Sequence, residues 1–221
     1  MATIIASTND GYQGSGLYSS WDDAHDAVGS VNPDTNNTRD IINGVRYEYV
    51  SGRGGTRYWL TRAFFDFDVS DIDEKPTEAT FNFTAYANAA CTPLIVAKSG
   101  HDPSTATDDW FSTWITGQSV TLSGWNGLIH ITAYSSSTAV ASAGSVTEIT
   151  LNSSARNDMK DLDLFKICLL HVNDYNDTAP TSGVLRTGMY WSDYGSSRPK
   201  LVYTPATVAV THNAPFFGTN F

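Results

Sequence analysis

Residues 62–69 read Arg62-Ala63-Phe64-Phe65-Asp66-Phe67-Asp68-Val69, and the fold class follows from this stretch. Successive side chains of a strand point to opposite faces. Ala63, Phe65, Phe67 and Val69 therefore form a wholly apolar face, and Phe64, Asp66 and Asp68 a mostly acidic one. That division predicts a strand with a core on one side, its acids on the surface and Arg62 placed to pair with one of them. Residues 79–87 show the same period more cleanly. Ala79, Phe81, Phe83, Ala85 and Ala87 face one way, and Thr80, Asn82, Thr84 and Tyr86 the other. Phe81 and Phe83 are expected to share the core with Phe65 and Phe67.

Upstream, the Val- and Tyr-rich residues 45–50 run into Ser51-Gly52-Arg53-Gly54-Gly55-Thr56, a hairpin connection into the strand at 58–69. Residues 18–28 read as an early strand region, and residues 29–39 as a polar surface loop. Downstream, short strands are expected at 93–98, 120–122, 128–132, 146–151, 187–191 and 200–203. Residues 164–172 are apolar on both faces, as in a central strand covered on each side. The single helix is placed at 153–161, with Ser153 or Ser154 as N-cap and Met159 and Leu162 facing the core. Many short strands, turns between them and one short helix predict an all-β chain. We expect a single jelly-roll-type β-sandwich over residues 1–205 and an extended C-terminal arm over 206–221.

At 221 residues the chain can bury a core without metals or disulfides. Its 23 acidic and 13 basic side chains give a formal charge of -10, a surface that repels phosphate backbones, so no nucleic-acid partner is expected. No apolar stretch is long enough to span a bilayer, and Met1-Ala2-Thr3-Ile4-Ile5 opens without a basic region or cleavage site, so neither membrane nor leader is expected. Cys168 lies in an apolar run and reads as a buried small hydrophobe. Spacing does not decide whether it pairs with Cys91.

Catalytic signatures are missing from the sequence. His25, His101, His130, His171 and His212 are scattered, and there is no His-Glu-x-x-His, Cys-x-x-Cys, P-loop, dinucleotide fingerprint or Gly-x-Ser-x-Gly. The densest titratable group is Trp21-Asp22-Asp23-Ala24-His25-Asp26. On a strand, Asp23 and His25 would share a face and suit acid–base work, but an exposed polar strand edge is the stronger account. Asp66 with Asp68, or Asp108 with Asp109, would serve a glycosidase only by facing one sugar across a set gap. The reading is therefore of a protein that is not an enzyme, with a polysaccharide-active enzyme as the last alternative.

Binding is the better-supported class. Asp174, Asn176 and Asp177, with Asn173, place oxygen ligands close together and make calcium a candidate, with Asx turns as the competing account. Trp110, Trp114, Trp125, Trp191 and Tyr194 lie in or beside loops, where flat rings with a polar edge can stack on sugars or anchor an interface. Residues 211–221 carry Phe216, Phe217 and Phe221, while Pro215 and Gly218 oppose a helix. An arm of this kind is expected to dock onto a neighbouring subunit by strand addition or by inserting phenylalanines into pockets.

In order, Asp10-Gly11-Tyr12, the strand at 62–69, the Ala-x-Phe strand at 79–83 and the paired Trp110 and Trp114 form a pattern. The helix leading into an apolar strand at 153–170 and the closing Ser196-Ser197-Arg198-Pro199-Lys200-Leu201-Val202 complete it. This pattern resembles the DNRLRE-type β-sandwich domains, which overlap with bacterial carbohydrate-binding modules of jelly-roll type, over residues 3–204. The chain departs from it in a long insertion between Asp26 and Val45 and in the tail after Thr204. The resemblance implies a non-catalytic module attached to a surface or assembly, of a kind also found in phage virion proteins. The leading expectation is a virion surface protein, decorating a capsid or associated with a tail, and forming a homo-oligomer or binding a capsid or tail protein. The alternative is an extracellular module that recognises glycans through the loop tryptophans.

Overall fold

In chain order the elements are β1 (Ala2–Ile5), β2 (Gly11–Gly14), α1 (Trp21–His25), β3 (Val31–Asp34), β4 (Arg39–Gly52), β5 (Gly55–Asp68), β6 (Glu78–Ala87) and β7 (Leu94–Lys98). They continue with β8 (Val146–Thr150), α2 (Ser153–Asp161), β9 (Leu164–His171), α3 (Val172–Tyr175), β10 (Val184–Tyr190), a 3-10 turn (Gly195–Ser197) and β11 (Lys200–Thr204). This computed structural model describes residues 1–8, 10–25, 31–34, 39–87, 89–100 and 132–207, with side chains at all of these but 13, 31–34 and 39–43.

The long strand β5 organises one layer. Thr61 pairs with both Arg46 and Gly14, and Ala63 with both Tyr12 and Leu169. β4 and β9 therefore follow one another along one edge of β5, while β2 holds the other. β9 passes on to β7, and β2 to β3. In the facing layer β6 is central, with β11 and β8 on its two sides and β1 outside β11. β10 joins the layers by pairing with β4 along most of its length and with the end of β6. Its register slips between Thr187 and Met189, and Gly44 stands beside the slip, where a Cβ would collide with the Thr187 carbonyl. The result is an antiparallel all-β sandwich, as the strand periods predict.

The core lies where the two best period-2 strands meet. Phe65, Phe67, Phe81 and Phe83 are all buried, with Phe81 ring centroids 5.0 Å from Phe65, 6.1 Å from Phe67 and 5.9 Å from Phe83. Aromatic pairs at such distances add to the gain from area burial alone. β9 runs between β5 and β7, and its double-sided apolar run is buried from Ile167 onward. The hairpin closes with Gly52 opposite Gly55, and Gly55 takes a φ of +93°, which favours glycine.

Several expectations fail. The acidic face of β5 is not a free surface: Asp68 is exposed, but Phe64 and Asp66 are buried. Phe64 packs in a second cluster with Ile95, Ala97, Cys168 and Leu170, so β5 is covered on both sides here. Residues 31–34 form a strand rather than loop because β2 offers them a ladder, and tertiary pairing outweighs weak polar propensity. Residues 21–25 are helical, with Trp21, Ala24 and His25 buried and Asp22 and Asp23 exposed. The Ser20 hydroxyl accepts the Asp23 N–H at 3.1 Å, which starts the turn. His25 is thus an interior residue, and the polar-edge account of it is corrected.

The helix at 153–161 is present as α2, but Asn152 caps it, its side-chain oxygen accepting the Ala155 N–H at 3.1 Å. Met159 is buried as expected, whereas Leu162, one residue past the helix in extended backbone, is exposed. Both cysteines are free and buried. Among the described residues no helix is long and apolar enough to cross a membrane.

Candidate functional site

Arg62 opens the stretch that defines the fold, and its side chain is completely buried. It donates from Nε to Asp174 Oδ2 at 2.8 Å and from Nη2 to Asp174 Oδ1 at 2.7 Å, a bidentate pair that joins β5 to α3. Its partner is therefore neither Asp66 nor Asp68, and a residue 112 positions away neutralises it. His25 adds to the cluster. Its Nε2 lies 3.1 Å from the Asp174 carbonyl and so carries the proton, 3.7 Å from Asp174 Oδ1, while Nδ1 lies 3.5 Å from Asp177 Oδ1. Trp21 donates its indole N–H to Asp177 Oδ1 at 2.8 Å and stacks obliquely over His25 at 5.1 Å.

Next to this group, His171 lies flat on Tyr47, with centroids 4.4 Å apart and planes 9° apart. Its Nδ1 accepts the Asn173 N–H and its Nε2 lies 3.2 Å from the Thr92 carbonyl, which defines the neutral Nε2–H tautomer. Burial lowers its pKa and favours the same state. The Tyr47 hydroxyl donates to the Thr178 carbonyl. Chemically, the His25–Asp174 contact looks like the start of an acid–base dyad. However, both Asp174 oxygens receive Arg62, and Asp174 and His25 are each only 1% exposed, so a substrate has no access to them. The cluster holds α1, β5 and the turn after β9 together.

The early Asp10-Gly11-Tyr12 motif forms a second brace. Asp10 accepts the Ser192 N–H at 2.9 Å and the Ser192 hydroxyl at 2.5 Å, while Tyr12 packs against Trp191 at 6.0 Å. Burial, partly offset by the Ser192 bonds and aided by the charges of Asp193 and Asp66, raises the Asp10 pKa to about 7. The folded state then holds a proton that the unfolded chain releases near 3.8. Stability from this group is full below the unfolded value and is lost as pH rises through the folded one. Asp66, whose pKa burial also raises, acts in the same direction. Asp10→Asn keeps an acceptor for the Ser192 N–H without a proton to lose. Between about pH 5 and about pH 8 it should lose roughly 2 kcal/mol less stability than the native chain in urea titrations. Equal slopes for the two proteins would show that Asp10 ionises freely.

The remaining buried acid among the described residues, Glu48, is held by Arg186, with Nη2 to Oε2 at 3.1 Å, and lies 3.7 Å from Arg46, whose guanidinium stands 4.2 Å over the Trp59 ring.

The expected binding residues are scattered. Trp110, Trp114 and Trp125 lie outside the described residues, as do Phe216, Phe217 and Phe221. Trp191 is 1% exposed and stacks on Phe65 at 5.6 Å. It is a core ring and not a loop platform, because the Asp10–Ser192 staple draws its segment inward. Tyr194 is half-buried and packs 4.3 Å from Tyr190, which meets Tyr86 at 4.9 Å. In the oxygen-rich loop Asp174 turns in to Arg62 while Asp177, at φ +50°, accepts Trp21. Asn176 is left exposed at the surface. Among the described residues no group of three or more His, Cys, Asp or Glu side chains comes together in a grouping that could hold a metal ion.

What sequence reasoning missed was the role of Arg62 as an interior cation: alternation places it on the face of Phe64, Asp66 and Asp68, and nothing local points to Asp174.

The fold and this braced interior define a class, an all-β sandwich whose buried ionisable groups join one element to another. Beyond that class, the chain matches no family model, and a search of curated proteins finds no match.

Proposed function

We propose that the chain is a non-catalytic structural and binding protein, a sandwich subunit on a phage virion surface that docks to neighbouring subunits through residues 206–221. The supporting observation is that its buried charges cross-brace separate elements, Arg62 with Asp174 and Glu48 with Arg186. Such bracing suits a rigid scaffold. The resemblance to DNRLRE-type sandwiches and the phenylalanines at 216, 217 and 221 support the docking role. An exposed apolar arm is costly in water, at roughly 1.5–3 kcal/mol for each ring left unburied, and a partner surface removes that cost.

The test is sedimentation of the full chain and of a chain lacking residues 211–221. The full chain should associate, with itself or with capsid or tail proteins. The truncated chain should stay monomeric with an unchanged melting midpoint. Equal association of the two would overturn the arm as the docking element. Glycan recognition through Trp110, Trp114 and Trp125 is the second reading, and the half-buried Tyr190–Tyr194 pair is the observation that favours it.

A further inference from the structure

The outward face of β6 carries Asn82 and Thr84, and both are buried, at 6% and 7% exposure. The 3-10 turn at Gly195–Ser197 and the bend at Gly144 stand over them and enclose a cleft of about 150 Å³. Its polar lining is Asn82, Thr84, Ser196, Ser197, Arg198 and Lys200, with Val146 as apolar wall. Lys200 is the direct cross-strand neighbour of Asn82 in the β6–β11 ladder. The acid on the other side of Asn82 in register, Glu148, lines a separate cleft with Thr138 and Asn152.

Two features single this place out. Asn82 Oδ1 is buried without a hydrogen-bond partner, and burying a carboxamide atom unpaired is destabilising, so a native site that does so calls for a group to pair with it. Arg198 and Lys200 form no ion pair among the described residues, in a chain with a formal charge of -10. An uncompensated pair of cations beside a polar recess attracts an anion.

We propose that this cleft binds a small carboxylate that also carries hydroxyl groups. The charge follows from Arg198, whose planar fork matches a carboxylate, and from Lys200 beside it. The hydroxyls follow from Asn82. A hydroxyl both donates and accepts, so it satisfies the carboxamide whichever way the amide is turned, whereas a bare sulfate or carboxylate oxygen only accepts. Thr84, Ser196 and Ser197 offer further hydroxyl partners, and the volume suits one ring or a short open chain. Two sources share this chemistry, a ring-borne sugar acid and an open-chain hydroxy acid. None of the residues named for this cleft belongs to the C-terminal arm or to the tryptophan loops.

The experiment is calorimetric titration of the full chain with glucuronate, gluconate, glucose and sulfate. A hydroxylated carboxylate should bind saturably and about tenfold or more tightly than glucose or sulfate, since charge-assisted bonds and hydroxyl pairing each carry about that factor. Glucuronate ahead of gluconate identifies the ring-borne source, and the reverse identifies the open chain. Arg198→Ala, at an exposed position, should weaken binding about tenfold while leaving the melting midpoint unchanged. Asn82→Asp should weaken it at least as much by placing a like charge under the ligand. Sulfate binding as tightly as both acids would overturn the hydroxyl requirement. Failure of both acids to saturate at roughly 50 mM would overturn the site, since a built site with charge-assisted bonds exceeds millimolar affinity.

Discussion

Asp174→Ala is expected to destabilise the sandwich by about 3–5 kcal/mol, because it leaves the Arg62 guanidinium charged and buried with no counter-ion. The side chains are 0% and 1% exposed, so water cannot take over from the lost carboxylate. Two charge-assisted bonds, at 2.7 and 2.8 Å, would be lost at once. The loss is a large part of a typical domain stability of roughly 5–15 kcal/mol. Equilibrium unfolding in urea measures it. Replacing both partners together, Arg62→Met with Asp174→Leu, should recover most of the loss, since it removes the buried charge as well as the pair. Asp68→Ala, on the same strand but exposed, should cost far less, since it loses only the solvent-exposed bonds that Ser70 donates to the carboxylate. A midpoint for Asp174→Ala close to the native one would show that Arg62 is not held by Asp174 in solution.

Phe81→Ala should cost a comparable amount, about 3–5 kcal/mol, through lost transfer energy and the cavity left behind. Phe81 is fully buried and meets Phe65, Phe67 and Phe83 alike, so its removal opens the seam between the layers. The surrounding strands are paired on both sides of β6 and cannot collapse into the gap. Phe81→Leu keeps most of the volume and should cost clearly less, about 1–2 kcal/mol, which preserves a readout if the alanine variant fails to fold. Val146→Ala, at a half-exposed site on the neighbouring β8, provides the surface control. A cost for Phe81→Ala no larger than for Val146→Ala would mean that the two layers do not close on these rings.

The candidate site was less legible than the fold. The tryptophans and phenylalanines chosen from the sequence were those with large rings near loops, a criterion that cannot tell Trp191, stacked on Phe65, from a ring in solvent. The residues of the outer cleft gave no signal, because Asn82 and Thr84 read as the wet side of an alternating strand, and distant segments at Gly144 and at 195–197 line the cleft with them. Asp174 was read with its loop neighbours as an oxygen ligand, but it belongs with an arginine on another strand.

The sequence by itself determined that β5 and β6 are strands, that each has an apolar face, and that they share a core through phenylalanines. Alternation is a property of local covalent geometry, and apolar side chains leave water whatever lies opposite. Tertiary structure alone decided which second face is covered and which charge answers which. Asp66 is buried and Asp68 is not, though they sit two residues apart with the same chemistry. The partner of Arg62 comes from 112 residues away. Such pairings depend on where distant segments pass, and short-range pattern in a chain carries no record of that.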